Sequence, residues 1–434
     1  MKRLVKIVVV LIVIGAIAVP ILNRTDPAAG TAPAIAGAPA DADSVARGEY
    51  LTKAADCIAC HTVPDSGKPF AGGVAFSLPF GTIYSSNITP DAQTGIGAYS
   101  DEEFVRAVRE GVRRDGQHLY PAFPYTSYTQ LSRSDVLAIK AYLSTLPAIS
   151  EPNRTNELSF PFNQRWAMVF WNAAFFKSQR FAADPAKPAQ WNSGAYLATA
   201  LGHCAECHTP RNFGFGIEHG RELAGEELQG WRAYNITSDV KQGIGSWSDS
   251  DIVTYLTTGH ARGRATASGP MGEAVAHSLQ FLKAGDAAAL ASFLRTVPAH
   301  RGKYPVEVGA QPPALAASNA VLPAPDELRA ESQGLKLFAG ACASCHQWTG
   351  QGRQSQYASL AGTRGVNDTR AINVTQIILQ GVKMRVNDTD VYMPAFGDAY
   401  SDVEIAALAN YVVAHFGGKQ GTVTPTDVAK RRML

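Results

Sequence analysis

The chain has 434 residues and a formal net charge of +2 at neutral pH, and 18% of its residues are charged. A net charge this small argues against a nucleic-acid-binding protein and against binding to an anionic membrane surface by charge alone. The hydrophobic content of 46% is that of a globular chain, and the length predicts roughly three domains.

The N-terminus carries an export signal. Lys2, Arg3 and Lys6 precede an apolar run at 7–22, a pattern that predicts either a cleaved signal peptide or a membrane anchor over 1–24. We favour a retained anchor with its positive end in the cytoplasm, followed by an Ala/Pro/Gly-rich tether at 25–44. Cleavage within the tether is the alternative.

Three copies of C-x-x-C-H account for all 6 cysteines. They are Cys57-Cys60-His61, Cys204-Cys207-His208 and Cys342-Cys345-His346. The motif is the attachment sequence for c-type haem: the thiols form thioethers to the porphyrin and the histidine binds the iron. Zinc is the rival, but it needs four ligands, usually from two close pairs, and these motifs stand far apart. The sequence therefore predicts three covalently bound haem c groups and an exported chain on the periplasmic side of the cell inner membrane.

An internal repeat indicates duplicated domains. Asn87-Ile88-Thr89 recurs 148 residues later as Asn235-Ile236-Thr237, and Gly95-Ile96-Gly97 recurs as Gly243-Ile244-Gly245. The haem histidines His61 and His208 keep nearly the same spacing, 147 residues. Such a constant register predicts copies of one folding unit. The predicted domains are 45–147, 188–298 and 326–418, joined by an aromatic linker at 148–187 and an Ala/Pro linker at 299–325, with a tail at 419–434.

Each predicted domain has a helix with a glycine before its motif and an amphipathic helix with an aromatic residue at its end. The pairs are Gly48 with Tyr142, Gly194 with Phe293, and Gly334 with Tyr411. A glycine facing an aromatic side chain lets two helices cross closely, and Ser401-x-x-Glu404 is a capping box that opens the last of these helices. The predicted fold class is all-α: three tandem class I cytochrome c domains behind an N-terminal apolar helix.

Methionine is the usual sixth ligand of an electron-transfer cytochrome c, and the chain has only 6 methionines. Met271 is the only methionine in the second predicted domain. Met393 lies in Tyr-Met-Pro-Ala-Phe, a ligand-loop sequence typical of class I cytochromes c. Met384 competes with Met393, but it has no flanking proline and is interpreted as a packing residue.

The first haem departs from this pattern. The repeat places Phe123 where Met271 stands in the second domain, and phenylalanine cannot bind iron. Met168, in the aromatic linker, is the only methionine between the first and second motifs, and we favour it as the sixth ligand. A packing role for Met168, ligation by His118 and an open position are the alternatives.

The chain resembles the triheme cytochrome c subunits of bacterial membrane-bound dehydrogenases. The matching stretches are 86–90, 116–128, 160–163, 268–273 and 392–396, and the resemblance covers essentially everything after residue 45. It implies a subunit that takes electrons from a catalytic dehydrogenase subunit, accompanied in one branch by a small iron–sulfur subunit, and delivers them to ubiquinone in the membrane. Because the alcohol and sugar branches usually carry methionine at position 123, the resemblance favours a molybdopterin aldehyde dehydrogenase as the partner. A quinoprotein alcohol dehydrogenase or a flavoprotein sugar or gluconate dehydrogenase is the alternative.

No catalytic residues for substrate oxidation are predicted, because the sequence holds no dinucleotide fingerprint after a strand and no quinone- or flavin-binding domain. Two other functions compete with that of an electron-transfer subunit. A multihaem peroxidase needs an open or displaceable sixth position, which Phe123 leaves conceivable. A stand-alone electron shuttle does not need three tethered haems and an anchor.

Overall fold

The computed structural model describes residues 44–304, 306, 333–353 and 355–433. The described residues fall into two units: the first runs to Glu206 and also takes in Arg211–Ile217, and the second comprises Cys207–Pro210 and everything from Glu218 onward. The predicted anchor at 1–24, nearly all of the tether and most of the Ala/Pro linker lie outside the described residues. The domain borders drawn from the sequence stay predictions.

The first unit combines helices with one small sheet. Its helices are α1 (Ser44–Ala54), α2 (Cys57–His61), α3 (Asp101–Glu110), α4 (Tyr125–Tyr128), α5 (Arg133–Leu143), α6 (Met168–Phe175) and α7 (Ala189–Tyr196), with a 3-10 turn at Arg165–Ala167 and a π turn at Leu197–Leu201. Its strands are β1 (Ala75–Leu78), β2 (Gly81–Tyr84) and β3 (Glu157–Leu158). The central strand β2 pairs antiparallel with both β1 and β3. The aromatic linker thus adds a strand to the sheet of the first predicted domain.

The second unit holds the remaining elements, and the short helix α8 (Ala205–His208) contains the boundary between the units. Its other helices are α9 (Asp249–Thr258), α10 (Gly269–His277), α11 (Ala284–Leu294), α12 (Gln333–Leu337), α13 (Ala343–His346), α14 (Ile372–Gln380), α15 (Asp402–Gly417) and α16 (Pro425–Arg432). Its strands form the hairpins β4 (Glu226–Leu228) with β5 (Trp231–Ala233), β6 (His260–Ala261) with β7 (Ala265–Thr266), and β8 (Val382–Val386) with β9 (Thr389–Met393).

Close helix crossings at glycine are confirmed for two of the three predicted pairs, Gly48 with Tyr142 and Gly334 with Tyr411. A Cβ atom on Gly48 would lie 1.8 Å from the carbonyl oxygen of Ala138 and 2.9 Å from the Cβ of Tyr142. A Cβ on Gly334 would lie 2.7 Å from the Cβ of Tyr411. Any larger side chain at either position would push the two helices apart, because no real Cβ approaches another atom so closely.

The predicted capping box at Ser401 and Glu404 is also present, and it opens α15. Equivalent boxes open α3 at Ser100 and α9 at Ser248, which are 148 residues apart like the sequence repeat. Each box satisfies backbone donors at the helix start that have no partner within the helix. The repeat therefore extends to the start of the third helix of the first unit.

The all-α prediction is incomplete, because it missed the hairpins. In the hairpin β8–β9, Asn387 and Asp388 both have positive φ angles, 47° and 61°, as a two-residue type I′ turn requires. Asparagine and aspartate tolerate this conformation better than other non-glycine residues. The Asn-Asp pair between two alternating segments was the sequence signal for this hairpin.

Among the described residues, no helix is long and apolar enough to cross a membrane.

Candidate haem-binding sites

Each C-x-x-C-H motif lies on a short helical stretch. The first is α2, the second ends in α8, and the third ends in α13. Within the described parts of the chain, no group of three or more His, Cys, Asp or Glu side chains converges as a metal site. Each motif itself supplies two thiols and one imidazole, which is the donor set of c-type haem.

All three motif histidines are held by the same kind of hydrogen bond. The Nδ1 atom lies 2.6 Å from the carbonyl oxygen of Ser86 at His61, 2.6 Å from that of Tyr234 at His208, and 2.7 Å from that of Ala358 at His346. Because a carbonyl oxygen only accepts, Nδ1 must carry the hydrogen, and the lone pair of Nε2 is left for a metal. Such outer hydrogen bonds orient an imidazole ligand, so the residues present fit a haem iron at each motif.

Burial lowers the pKa of His61, His208 and His346 below the ordinary value for histidine. A lowered histidine pKa means that the imidazole stays neutral at physiological pH. The neutral ring is the form that binds iron, so each site holds its proximal residue in the competent state.

The repeated Asn-Ile-Thr motif explains how the acceptor carbonyls are placed in the first two sites. Ser86 and Tyr234 each come directly before the asparagine of the motif. The Nδ2 atom of Asn87 donates to the carbonyl of Ile149 at 2.8 Å, and that of Asn235 donates to the carbonyl of His300 at 2.7 Å. Each asparagine therefore fixes the loop in which the residue before it offers its carbonyl to the haem histidine. The sequence repeat alone did not reveal this role.

Phe123 lies beside the first motif. Its ring packs edge-on against Tyr128, with centroids 5.5 Å apart. Burial and the nearby thiols of Cys57 and Cys60 raise the pKa of Tyr128 well above its ordinary value. The hydroxyl of Tyr128 donates to the carbonyl of Ala55 at 3.0 Å, two residues before Cys57, so the Phe123 loop lies near the attachment cysteines.

The aromatic linker contacts the same loop through α6. Met168, the first residue of α6, is 7% exposed, and Asn172 one turn later is 5% exposed. The Oδ1 atom of Asn172 accepts from the hydroxyl of Tyr125 at 2.6 Å, and its Nδ2 lies 3.1 Å from Nδ1 of His118. Residues four apart share one face of a helix, so Met168 lies on the face of α6 that meets the first domain.

Asn172 is a residue that the sequence interpretation missed. Its spacing from Met168 was the available signal. By engaging Nδ1 of His118, Asn172 ties that histidine to the linker, while burial lowers its pKa. The structure brings both candidate sixth ligands of the first haem, Met168 and His118, to the same side of the first domain.

Other linker aromatics pack on the first unit or remain at its surface. Phe162 stacks on Phe80 at 4.2 Å, and the indole nitrogen of Trp171 donates to the carbonyl of Gly214 at 2.7 Å. Phe160 and Trp166 stay 78% and 65% exposed. The linker is therefore a docked segment and not a free tether.

In the second unit, Met271 lies on α10 and packs against an apolar cluster. The cluster consists of Ala267, Val275, Met384, Val386 and Val391, with Tyr255 packed at its side. Met384, the competitor for the third haem, is 8% exposed and contributes to this cluster beside the helix that carries Met271. The hairpin β8–β9 thus packs on the second predicted domain.

Met393 is the last residue of β9 and is paired with Val382. Phe396, three residues later, packs against the core that contains Cys342 and Phe338. Tyr400 packs against the same core, and burial and the Cys342 thiol raise its pKa. The Met393 loop therefore continues into the core around the third motif.

Helical domains built around C-x-x-C-H, with a carbonyl-bonded histidine at each, define a c-type cytochrome. Two family models agree: residues 45–147 match cytochrome c, and residues 329–412 match subunit III of cbb3-type cytochrome c oxidase. The chain therefore carries covalently bound haem c.

Curated relatives narrow the class. The cytochrome subunit of fructose dehydrogenase from Gluconobacter japonicus is 40% identical over 402 residues, which cover 90% of this chain and 82% of the relative. The cytochrome c subunit of the quinone alcohol dehydrogenase from Gluconacetobacter polyoxogenes is 34% identical over 411 residues, covering 90% and 85%. The cytochrome c subunit of gluconate 2-dehydrogenase from Pantoea cypripedii is 34% identical over 404 residues, covering 89% of each chain. The chain belongs to the family of cytochrome c subunits of membrane-bound dehydrogenases.

Proposed function

We propose that this protein is a triheme electron-transfer subunit that accepts electrons from a catalytic dehydrogenase subunit and passes them to ubiquinone. The observation that carries the proposal is the recurrence of the histidine–carbonyl hydrogen bond at all three motifs, at 2.6, 2.6 and 2.7 Å. Haem c supplies a one-electron centre at each site. The chain orients the imidazoles, shields the haems from water and tunes their potentials.

The sixth ligands that we propose are Met168, Met271 and Met393, with Met168 reaching the first haem from the linker. In this arrangement each haem has a thioether ligand, which favours a high potential. The burial of Met168, on the face of α6 that also carries Asn172, supports this assignment for the first haem.

Removal of either thioether in the later domains has a spectral consequence. Met271→Leu and Met393→Leu are each expected to make one haem high-spin and to lower its potential, because leucine cannot bind iron. Absorption spectra and a redox titration of the purified holoprotein measure both effects. Met384→Leu is the matched control and should leave every haem low-spin; an all-low-spin Met271→Leu or Met393→Leu protein would show that the ligand was assigned wrongly.

The haem content is a separate prediction. Pyridine haemochrome analysis is expected to return three haems per chain, all retained under denaturing electrophoresis, because each motif supplies two thioether bonds. Cys57→Ser/Cys60→Ser and the equivalent pairs in the other motifs should each remove one haem. Two haems in the unaltered protein, or loss of the colour on denaturation, would contradict the count.

A molybdopterin aldehyde dehydrogenase is the partner that we propose, because Phe123 replaces the methionine usual in the alcohol and sugar branches. A sugar dehydrogenase is the second candidate, favoured by the 40% identity with the cytochrome subunit of a fructose dehydrogenase. Purification of the tagged chain from its own cells in mild detergent tests both: the large subunit that co-purifies should contain molybdopterin, with or without a small iron–sulfur subunit. A flavin in that subunit favours the second candidate, and recovery of the chain alone contradicts the function.

The proposed location is the periplasmic side of the inner membrane, with 1–24 as an anchor. We expect Edman sequencing of the native protein to begin at or near Met1, and carbonate washing to leave the protein in the membrane fraction. A mature N-terminus near residue 44 would show that the segment is a cleaved signal peptide.

A further inference from the structure

Arg364 is a buried cation without an ion-pair partner among the described residues. It lies in the predicted third domain and is 4% exposed. Its Nη1 donates to the carbonyl of Asn235 at 2.7 Å and its Nη2 donates to the carbonyl of Gly243, both in repeated motifs of the second domain. Its Nε has no hydrogen-bond partner, and Asp239 acts on its charge only from a distance. A buried charge without a paired opposite charge is costly, so this position favours an anion.

Tyr234 lies next to this guanidinium. The Cζ atom of Arg364 is 5.7 Å from the centre of the Tyr234 ring, and the Tyr234 hydroxyl is buried with no hydrogen-bond partner. The backbone carbonyl of the same tyrosine accepts the hydrogen bond from His208. Two buried donors without partners, the Nε of Arg364 and the hydroxyl of Tyr234, therefore lie on the His208 side of the second haem site.

Tyr255 also lies near this guanidinium. Burial raises the pKa of Tyr255 to about 12, and the positive charge of Arg364 opposes that rise. Tyr255 packs at the side of the apolar cluster that also contacts Met271. By geometry, Arg364 contacts the loop that holds the proximal histidine, through the carbonyl of Asn235 and the ring of Tyr234.

The ligand chemistry that fits is a carboxylate. Haem carries two propionate groups on one edge, and a guanidinium with a neighbouring hydroxyl donor binds a carboxylate by charge-assisted hydrogen bonds. The first repeat lacks both tyrosines. At the spacing of 148 residues, the first repeat has Ser86 in place of Tyr234 and Ala107 in place of Tyr255.

We propose that Arg364 and the Tyr234 hydroxyl bind a propionate of the haem whose iron is bound by His208, so that the third domain completes the site of the second haem. The proposal rests on the haem content proposed above. A cation near the haem edge favours the reduced iron, which carries one positive charge less. The third domain would therefore raise the potential of the second haem.

The test uses the full-length holoprotein with Met271→Leu, which marks the second haem by its high-spin absorption. In that background, Arg364→Gln is expected to shift the midpoint potential of the marked haem to a lower value and to leave the other two unchanged. Glutamine can still donate to a carbonyl, so the polypeptide contact is partly kept while the charge is lost. Tyr234→Phe should lower the same midpoint potential by a smaller amount. Arg364→Lys keeps the positive charge and should leave that potential close to its value in the Met271→Leu protein.

Arg370→Gln is the matched control. It removes the same charge from the same segment, but Arg370 is partly exposed and pairs with Glu227, so no haem potential should move. An unchanged potential of the marked haem in Arg364→Gln, or an equal shift of all three haems, would overturn the proposal and leave Arg364 as a structural clamp.

If Arg364→Gln yields no holoprotein, Tyr234→Phe decides, because it removes one hydroxyl and keeps the backbone carbonyl. An unchanged potential of the marked haem in that variant then overturns the proposal. A chain without haem at the second motif would instead refute the proposed function.

Discussion

Met168→Ala is expected to give a reduced protein that binds carbon monoxide at one haem per chain, where the unaltered protein binds none. The thioether of Met168 is proposed to close the iron site that Phe123 cannot close, and alanine leaves that site open to small ligands. Because α6 is also tied to the first domain through Asn172, the change is expected to affect one haem without releasing the linker. Carbon monoxide difference spectra of the reduced holoprotein measure the effect, and the rate of ubiquinone reduction should fall with it.

Two variants separate the competing ligands of the first haem. Phe123→Ala should leave the haem low-spin, because its ring packs on Tyr128 and donates nothing to iron. His118→Ala should also leave it low-spin if Met168 is the ligand. A low-spin Met168→Ala protein together with a high-spin His118→Ala protein would assign the histidine instead, and the first haem should then titrate at a markedly lower potential than the other two.

Asp368→Ala is expected to lower the free energy of unfolding of the second unit by about 3–5 kcal/mol. Asp368 and Arg232 form an ion pair at 2.6 Å, and their side chains are only 2% and 4% exposed. Arg232 belongs to the predicted second domain and Asp368 to the third, so the pair joins two parts of the chain that are distant in sequence. Among the described residues, removal of the carboxylate leaves this buried guanidinium with Glu227, at 2.9 Å, as its remaining charged partner. Urea unfolding, followed by far-ultraviolet circular dichroism, measures the change.

A surface pair serves as the control for this prediction. Arg385 and Asp390 lie 3.5 Å apart with side chains 64% and 78% exposed, so Asp390→Ala should cost about 0–1 kcal/mol. The double variant Arg232→Met/Asp368→Leu should regain most of the stability lost in Asp368→Ala, because it removes both buried charges. Equal losses in Asp368→Ala and Asp390→Ala would contradict a buried ion pair that joins the two predicted domains.

Local patterns in the sequence predicted the local features of the structure. The glycine–aromatic crossings at Gly48 and Gly334 and the capping box at Ser401 each depend on residues within one helix or one helix pair, and each has a residue-type signature. The hairpin turn at Asn387 also had a residue-type signature, the Asn-Asp pair. It lies within a mainly helical pattern and was not predicted. Features that depend on contacts within one helix or one helix pair could therefore be predicted from residue types alone.

The contacts between the second and third predicted domains could not be predicted from the sequence. Arg364 bonds to Asn235 and Gly243, and Arg232 pairs with Asp368, across more than a hundred residues of chain. No period or spacing relates such residues, because their proximity depends on how two folded domains pack. The spacing of Asn172 from Met168 indicated a shared helix face, but its partners Tyr125 and His118 come from another part of the fold and could not be predicted from that spacing.

The three histidine–carbonyl hydrogen bonds close loops of different lengths. His61 and His208 bond to carbonyls 25 and 26 residues further along the chain, whereas His346 bonds to one only 12 residues away. Each doubling of loop length costs about 0.6 kcal/mol of chain entropy. The equilibrium constant for closing the third loop is therefore roughly three times that of the other two. The hydrogen bond that holds His346 therefore costs less chain entropy to form than those that hold His61 and His208, so the third loop needs less stabilisation from bound haem to stay closed.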